Sequence, residues 1–321
     1  MRHTNRSLIG LVFLFLLATV CIAGCASLHE STLIDDPPRF EMLENSTIQG
    51  QPAKPMIALV LSGGSARGFA HLGVIKVLEE IGLVPDLIVG VSAGSMVAVA
   101  YASGMSAQQL IDASAKLDTT LMMDFTMPNL GQPVFRGELG FIRGEKLQTF
   151  INQIVANLPL QTLPRRVAVI ATDLQSGKPV AFTKGNAGMA VRASSAVPGV
   201  FVPPLILGKL YVDGQASSPV PVAMARMLGA TTVIAVDATF PPDQAVISNT
   251  SSVLFQSFTI ATQRIKAKEL EQANMVIRPE INSPLQLGFD DRAWIIAAGE
   301  KAARDALPQF LKLIEIQGSR K

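Results

Sequence analysis

The chain has 321 residues, long enough to bury a sizeable core, and 49% of them are hydrophobic. Its 27 basic and 25 acidic residues give a formal net charge of +2, which argues against nucleic-acid binding and against a polybasic membrane patch. With only two cysteines and three histidines, and no clustering of His, Cys or carboxylates, the sequence suggests no metal and no other cofactor.

Residues 1–24 read as an export signal. Arg2 and Arg6 make a basic start, and Leu8–Ala23 is an uncharged stretch of 16 residues. That is short of the about 20 a spanning helix needs, which favours a signal peptide. The stretch ends Ile22-Ala23-Gly24-Cys25, which resembles a bacterial lipobox, so cleavage before Cys25 would leave its thiol as an acylated N-terminus. An ordinary signal peptide or a short uncleaved anchor is the alternative. Ala26 and Ser27 follow, and by similarity to Gram-negative lipoproteins the lack of an Asp there implies the outer membrane of the cell envelope. Removing residues 1–24 takes away Cys21, Arg2 and Arg6, leaving 25 basic and 25 acidic residues and no thiol for a disulfide. Membrane attachment would then rest on the lipid itself. Each buried CH₂ contributes about 0.8 kcal/mol, so one chain is marginal and several anchor stably. Residues 25–55, with Pro37-Pro38, Pro52 and Pro55, read either as a tether or in part as an N-terminal arm. Fully extended, a tether of that length reaches about 100 Å.

From residue 56 to 321 strands and helices alternate. Runs rich in β-branched residues predict strands at Ile57–Leu61, Leu87–Val91, Val167–Thr172 and Thr231–Asp237. Helical patterns occupy Gly68–Ile81, Ala93–Ser103 and Pro221–Leu228. This alternation predicts an α/β fold of three layers, a mainly parallel sheet with helices on both faces. Over 238–321, helical patterns at Ser251–Gln272 and Asp290–Leu307, around a possible strand Met275–Pro279, are expected to complete the same domain. The irregular stretch Asp118–Phe141 carries Met122, Met123, Phe125, Met127, Phe135 and Phe141. It reads as a lid or acyl-chain wall, or equally as ordinary core packing.

Two turns carry the chemistry. Gly90-Val91-Ser92-Ala93-Gly94 sets a glycine-flanked serine between a strand and a helix, the pattern of a nucleophile elbow. Gly63-Gly64-Ser65-Ala66-Arg67-Gly68 likewise follows a strand and opens a helix, where main-chain N–H groups can hold a developing oxyanion. It lacks the Gly-Lys-Ser/Thr ending of a P-loop and the spacing of a dinucleotide-binding turn. Together the two turns point to a serine hydrolase. A third element, Leu210-Tyr211-Val212-Asp213-Gly214, reads as a short strand ending in an acidic turn able to bring a carboxylate to a serine.

With these stretches, and with Ala193-Ser194-Ser195-Ala196-Val197-Pro198-Gly199, the chain resembles the patatin-like phospholipase family, closest to its bacterial lipoprotein members, over roughly Ile57–Asp237. The resemblance implies an acyl-ester hydrolase of lipids. It assigns Ser92 as nucleophile, Asp213 as its base, and Gly63, Gly64, Ser65, Ala66 and Arg67 as the oxyanion hole. It also implies that the loop Ala193–Pro204 borders the site. Two positions depart from the family's commonest pattern: Ser65 stands where a third glycine is usual, and Gln215 replaces the second glycine after the aspartate. Ser65 still offers its N–H unless the turn requires a positive φ. Gln215 puts a side chain beside the base.

A Ser-His-Asp triad would need His3, His29 or His71. His71 shares a helical face with Val74, Ile75, Leu78 and Ile81 and reads as a core histidine. A Ser–Asp dyad is therefore favoured. Asp213 ordinarily titrates near ~3.9, so burial in an apolar pocket is expected to raise it toward working pH. Asp173 and Asp237, also at strand ends, rank below it as bases, and Ser194 and Ser195 read as turn residues. Arg67 is expected to be held by a neighbouring carboxylate, with attraction of a substrate phosphate as the alternative. The competing readings of the whole chain are an acyltransferase using the same acyl-enzyme and a non-catalytic envelope protein binding lipid or anion in a degenerate pocket. The sequence sets no oligomeric state.

Overall fold

The computed structural model describes residues 56–117, 124, 139–248, 250–281 and 290–310. The expected signal, Cys25, the tether, and Met122, Met123, Phe125, Met127 and Phe135 lie outside the described residues. No helix among the described residues is long and apolar enough to cross a membrane.

Four predicted strands form the sheet's centre: β1 (Ile57–Leu61), β2 (Leu87–Val91), β3 (Val167–Asp173) and, later in the chain, β7 (Thr232–Val236). β1 pairs in parallel with both β2 and β7, and β2 pairs in parallel with β3. Around them lie β4 (Pro179–Phe182), the hairpin of β5 (Leu205–Ile206) and β6 (Lys209–Asp213), and β8 (Met275–Ile277). The hydrogen-bonded order is β5-β6-β3-β2-β1-β7-β8, with β4 also on β3. β4 and β6 run antiparallel to β3.

The register explains how the site comes together. Ile170 pairs with Val91 of β2 and with Ala181 of β4, whereas Ala171 pairs with Asp213 of β6 and with Val180 of β4. A strand residue has only two lateral neighbours, so β6 lies on the β2 side of β3 and begins where β2 stops. The carboxyl ends of β2 and β6 therefore meet head to head, with Ser92 following one and Asp213 ending the other.

Alternate side chains of the strands feed two cores. Leu59, Leu61 and Ile88 enter one; Ala58, Val60, Leu87, Val89 and Val91 enter the other. The first core is covered by α1 (Ala70–Glu80), α2 (Ala93–Ala102), α4 (Glu145–Ile154), α5 (Ala187–Ser194) and α8 (Arg292–Asp305), with α3 (Ala107–Ser114) beside them. The second is covered by α6 (Val222–Met227) and the end of α7 (Thr250–Leu270). The three-layer α/β architecture is thus present. Each buried Leu, Ile or Val contributes about 1.5–3 kcal/mol, and the all-buried β2 shows why its sequence is continuously apolar.

Several elements were not anticipated. A 3-10 turn, Ser65–Phe69, precedes α1, so the helix predicted from Gly68 begins at Ala70. α3 starts with a capping box between Ser106 and Gln109. α4 is capped from a distance: Asp124 accepts the N–H groups of Gly144 at 2.7 Å and Glu145 at 2.8 Å. The start of the loop expected from Ala193 is helical, since α5 runs through Ser194.

Candidate active site

Ser92 adopts φ 52° and ψ −125°, a strained conformation for a residue bearing a side chain, at the N-cap of α2. Its small neighbours are required. A Cβ on Gly94 would come within 2.3 Å of the Leu61 carbonyl oxygen, and one on Gly90 within 2.5 Å of the Gly94 oxygen. The helix takes over at once, with the Ser95 N–H and hydroxyl both donating to the Ser92 carbonyl, at 2.9 and 2.6 Å. The Ser92 N–H donates to the Ser194 hydroxyl at 2.8 Å, and that hydroxyl donates to the Ile170 carbonyl at 2.6 Å. Ser194, expected only as a turn residue, therefore ties the elbow to β3.

The Ser92 hydroxyl donates to Asp213 Oδ2 at 2.7 Å. The other oxygen, Oδ1, accepts the Gln215 N–H at 2.9 Å, and the Asp213 N–H donates to Ala196 O at 2.8 Å. Asp213 has no exposed surface, and this burial pushes its carboxyl up to about 7, against the pull of the Ser92 and Gln215 hydrogen bonds. A carboxylate titrating there is matched to taking a proton from a hydroxyl near neutral pH.

The glycine-rich turn abuts the elbow, since a Cβ on Gly68 would meet that of Ala93 at 2.7 Å. Gly64 has φ 151° and Ser65 φ 52°, so the turn does demand a positive φ at the serine that replaces glycine. The N–H groups of Gly63, Gly64 and Ala66 take no acceptor among the described residues. Arg67 must be removed from the expected oxyanion set: its N–H closes the 3-10 turn onto Gly64 O at 3.1 Å. Nor does a carboxylate among the described residues grip its side chain. The buried guanidinium donates to the carbonyls of Ala238 (3.1 Å) and Ile281 (2.8 Å) and stacks over Phe240, with Asp237 acting only through its field. The arginine fastens the turn to the segment after β7.

Gln215 does not displace Asp213. Its main chain holds Asp213, and its side chain packs on the first glycine of the turn, where a Gly63 Cβ would lie 2.2 Å from Cδ. His71 is a core histidine: buried, with Nε2 2.9 Å from Ser62 O, and held neutral by burial that lowers it to about 4. It donates to the residue just before the turn. The two other candidate bases are committed elsewhere. Asp173 accepts the N–H groups of Gln175 and Ser176, and Asp237 binds Thr239, Lys266 and Arg278. Glu269 of α7 was missed by sequence reading. Buried and raised to about 7 by desolvation, it accepts from the Ser218 hydroxyl and from the Val220 N–H at 3.1 Å, bracing the segment behind Asp213. No group of three potential metal ligands occurs among the described residues.

The model of the family described as patatin-like phospholipase matches residues 59–226, just over half of the chain and all three motifs. The chain belongs to the patatin-like phospholipase family. Its relatives include an uncharacterized NTE family protein of Mycobacterium tuberculosis, 36% identical over 184 residues that cover 57% of this chain and 49% of the relative. A second such protein of the same organism is 28% identical over 282 residues, covering 78% and 46%. Patatin-like phospholipase domain-containing protein 6 of Mus musculus is 33% identical over 190 residues, covering 56% and 13%. The chain spans less than half the length of these relatives. Among solved structures, VipD from Legionella pneumophila aligns over 90% of this chain and 73% of its own, with 15% identity and a TM-score of 0.47.

Proposed function

We propose that this chain is a lipid acyl-ester hydrolase, of phospholipase A or lysophospholipase type, with Ser92 as nucleophile and Asp213 as its general base. The observation that carries the reading is the 2.7 Å hydrogen bond from a strained, glycine-flanked serine to a wholly buried carboxyl. Ser92 Oγ attacks the ester carbonyl as Asp213 Oδ2 takes its proton. The tetrahedral oxyanion is met by main-chain N–H groups of the Gly63–Ala66 turn, each such donor being worth roughly 10²–10³ in turnover. Collapse expels the alcohol, which leaves with the proton from Asp213. Water, deprotonated by the same carboxylate, then attacks the acyl-enzyme, and the acyl–Oγ bond breaks as Asp213 returns the proton to Ser92 Oγ, releasing the fatty acid. Family membership supports the lipid class of the ester. Cys25 carries the lipid anchor in this proposal, and residues 25–55 tether the domain to the cell envelope, on the sequence evidence of Leu8–Cys25.

The test is incubation of the purified protein with mixed envelope phospholipids, with released fatty acids read by mass spectrometry. Release by the unmodified chain and none by Ser92→Ala is expected. Equal release by both, or no release by the unmodified chain, overturns the proposal.

A further inference from the structure

We propose that the face of the molecule at the carboxyl ends of the parallel strands docks on an anionic lipid bilayer, with exposed aliphatic side chains entering it on both sides of the strand end that carries Ser92. The inference rests on the lipid substrate proposed above and adds the surface by which the site meets it. Two separate elements carry the observation. β6 enters beyond the end of β2, antiparallel to β3 with Tyr211 opposite Asp173, so the tip of the β5–β6 hairpin projects past the carboxyl edge. At that tip Leu205 and Leu207 are 64% and 53% exposed. On the other side of the site, beyond β1, the chain leaves β7 at the same edge and enters α7. There Val246, Ile247, Val253, Leu254 and Ile260 are all about half exposed or more, Leu254 reaching 65%.

Through Thr262, α7 has its polarity reversed. Thr259 and Thr262 face inward, their hydroxyls satisfied by the Phe255 and Thr259 carbonyls, while the aliphatic residues face out. Residues 244–263 contain no charged side chain, and the next exposed residues along the helix include the cations Arg264 and Lys268. At a rise of about 1.5 Å per residue, Arg264 stands about 6 Å behind Ile260, the offset between acyl chains and lipid phosphates. Aliphatic tips backed by cations fit an anionic bilayer. Two patches on separate elements flanking the Ser92 strand end fit a plane better than a single groove-bound peptide, and scattered exposed leucines would not concentrate at one end.

The chain has one tryptophan, Trp294, so its fluorescence can be moved to chosen sites. Full-length chain carrying Ser92→Ala and Trp294→Phe would receive Leu254→Trp, Leu207→Trp or, as control, Val84→Trp, which is 58% exposed at the opposite, amino end of β2. Each is mixed with phosphatidylcholine–phosphatidylglycerol vesicles bearing brominated acyl chains. The expected result is a blue shift and about twofold or greater quenching at 254 and 207, with neither at 84. An N-terminal anchor would act equally on all three, so the contrast reports the face. Unquenched emission at 254 and 207 overturns the proposal. So does a blue shift that grows with protein concentration without lipid, which would assign the face to a second copy. Quenching without fatty-acid release by the unmodified chain would sustain the docking face and remove the hydrolase reading.

Discussion

Replacing Asp213 by Asn should move activity and stability in opposite directions. The amide keeps an oxygen for the Gln215 N–H but turns an N–H toward Ser92 Oγ, so the serine loses its proton acceptor. Loss of a positioned general base lowers turnover by about 10²–10⁴. The same change removes a carboxyl that burial raises to about 7 from an ordinary ~3.9. An acid raised in the folded state weakens folding as pH climbs from the unfolded value to the folded one, and the penalty is constant above that. For Asp213 its ceiling at pH 8 is about 4 kcal/mol, shrinking steadily below pH 7 and almost gone by pH 3. If a quarter of the ceiling is recovered, the melting temperature of Asp213→Asn at pH 8 rises by about 2–4 °C, and the gain shrinks on acidification. Thermal melts of both proteins from pH 4 to 8, with turnover of a soluble p-nitrophenyl ester alongside, read both effects. Turnover within about threefold of the unmodified chain, or a lower melting temperature at pH 8, would refute the reasoning.

Ser194→Ala leaves the Ser92 N–H and the Ile170 carbonyl without their shared partner, and should destabilise the fold by about 1–3 kcal/mol in urea titration while lowering ester turnover. Gly63→Ala drives a methyl into the Gln215 side chain and should cost about 1–3 kcal/mol; adding Gln215→Ala, which removes Cγ, Cδ and Oε1, should restore stability in a double-mutant cycle. His71 is disfavoured as an imidazolium by burial, so its proton binds only near pH 4. NMR of labelled histidine at pH 5.5 should find its ring neutral with the proton on Nε2, and titration near 6.5 would contradict the burial argument.

The strands at the sheet's centre were legible because each is a short β-branched run bounded by breakers, and both turns were legible because their glycines are sterically obligatory. What the sequence hides is non-local. The antiparallel entry of β6 breaks the strand–helix alternation, so nothing in the spacing reveals that it meets β2 end to end. The cap on α4 comes from Asp124, twenty residues upstream, although the buried pair Leu147 and Ile151 at i, i+4 was a signal for the helix itself. Arg67 was expected beside a carboxylate because charges usually pair, yet main-chain carbonyls from two distant segments satisfy it. Ser194 and Glu269 carry no motif of their own; their roles exist only once β3 and α7 bring their partners within reach.

The central claim is that Ser92 is a nucleophile activated by Asp213. Reaction of the full chain with a fluorophosphonate, followed by peptide mass mapping, tests it most directly. One adduct per chain on the peptide containing Ser92 is expected, forming faster as pH rises through about 7, absent from Ser92→Ala and strongly slowed in Asp213→Asn. An adduct on another residue, or no adduct at pH 8, would contradict it.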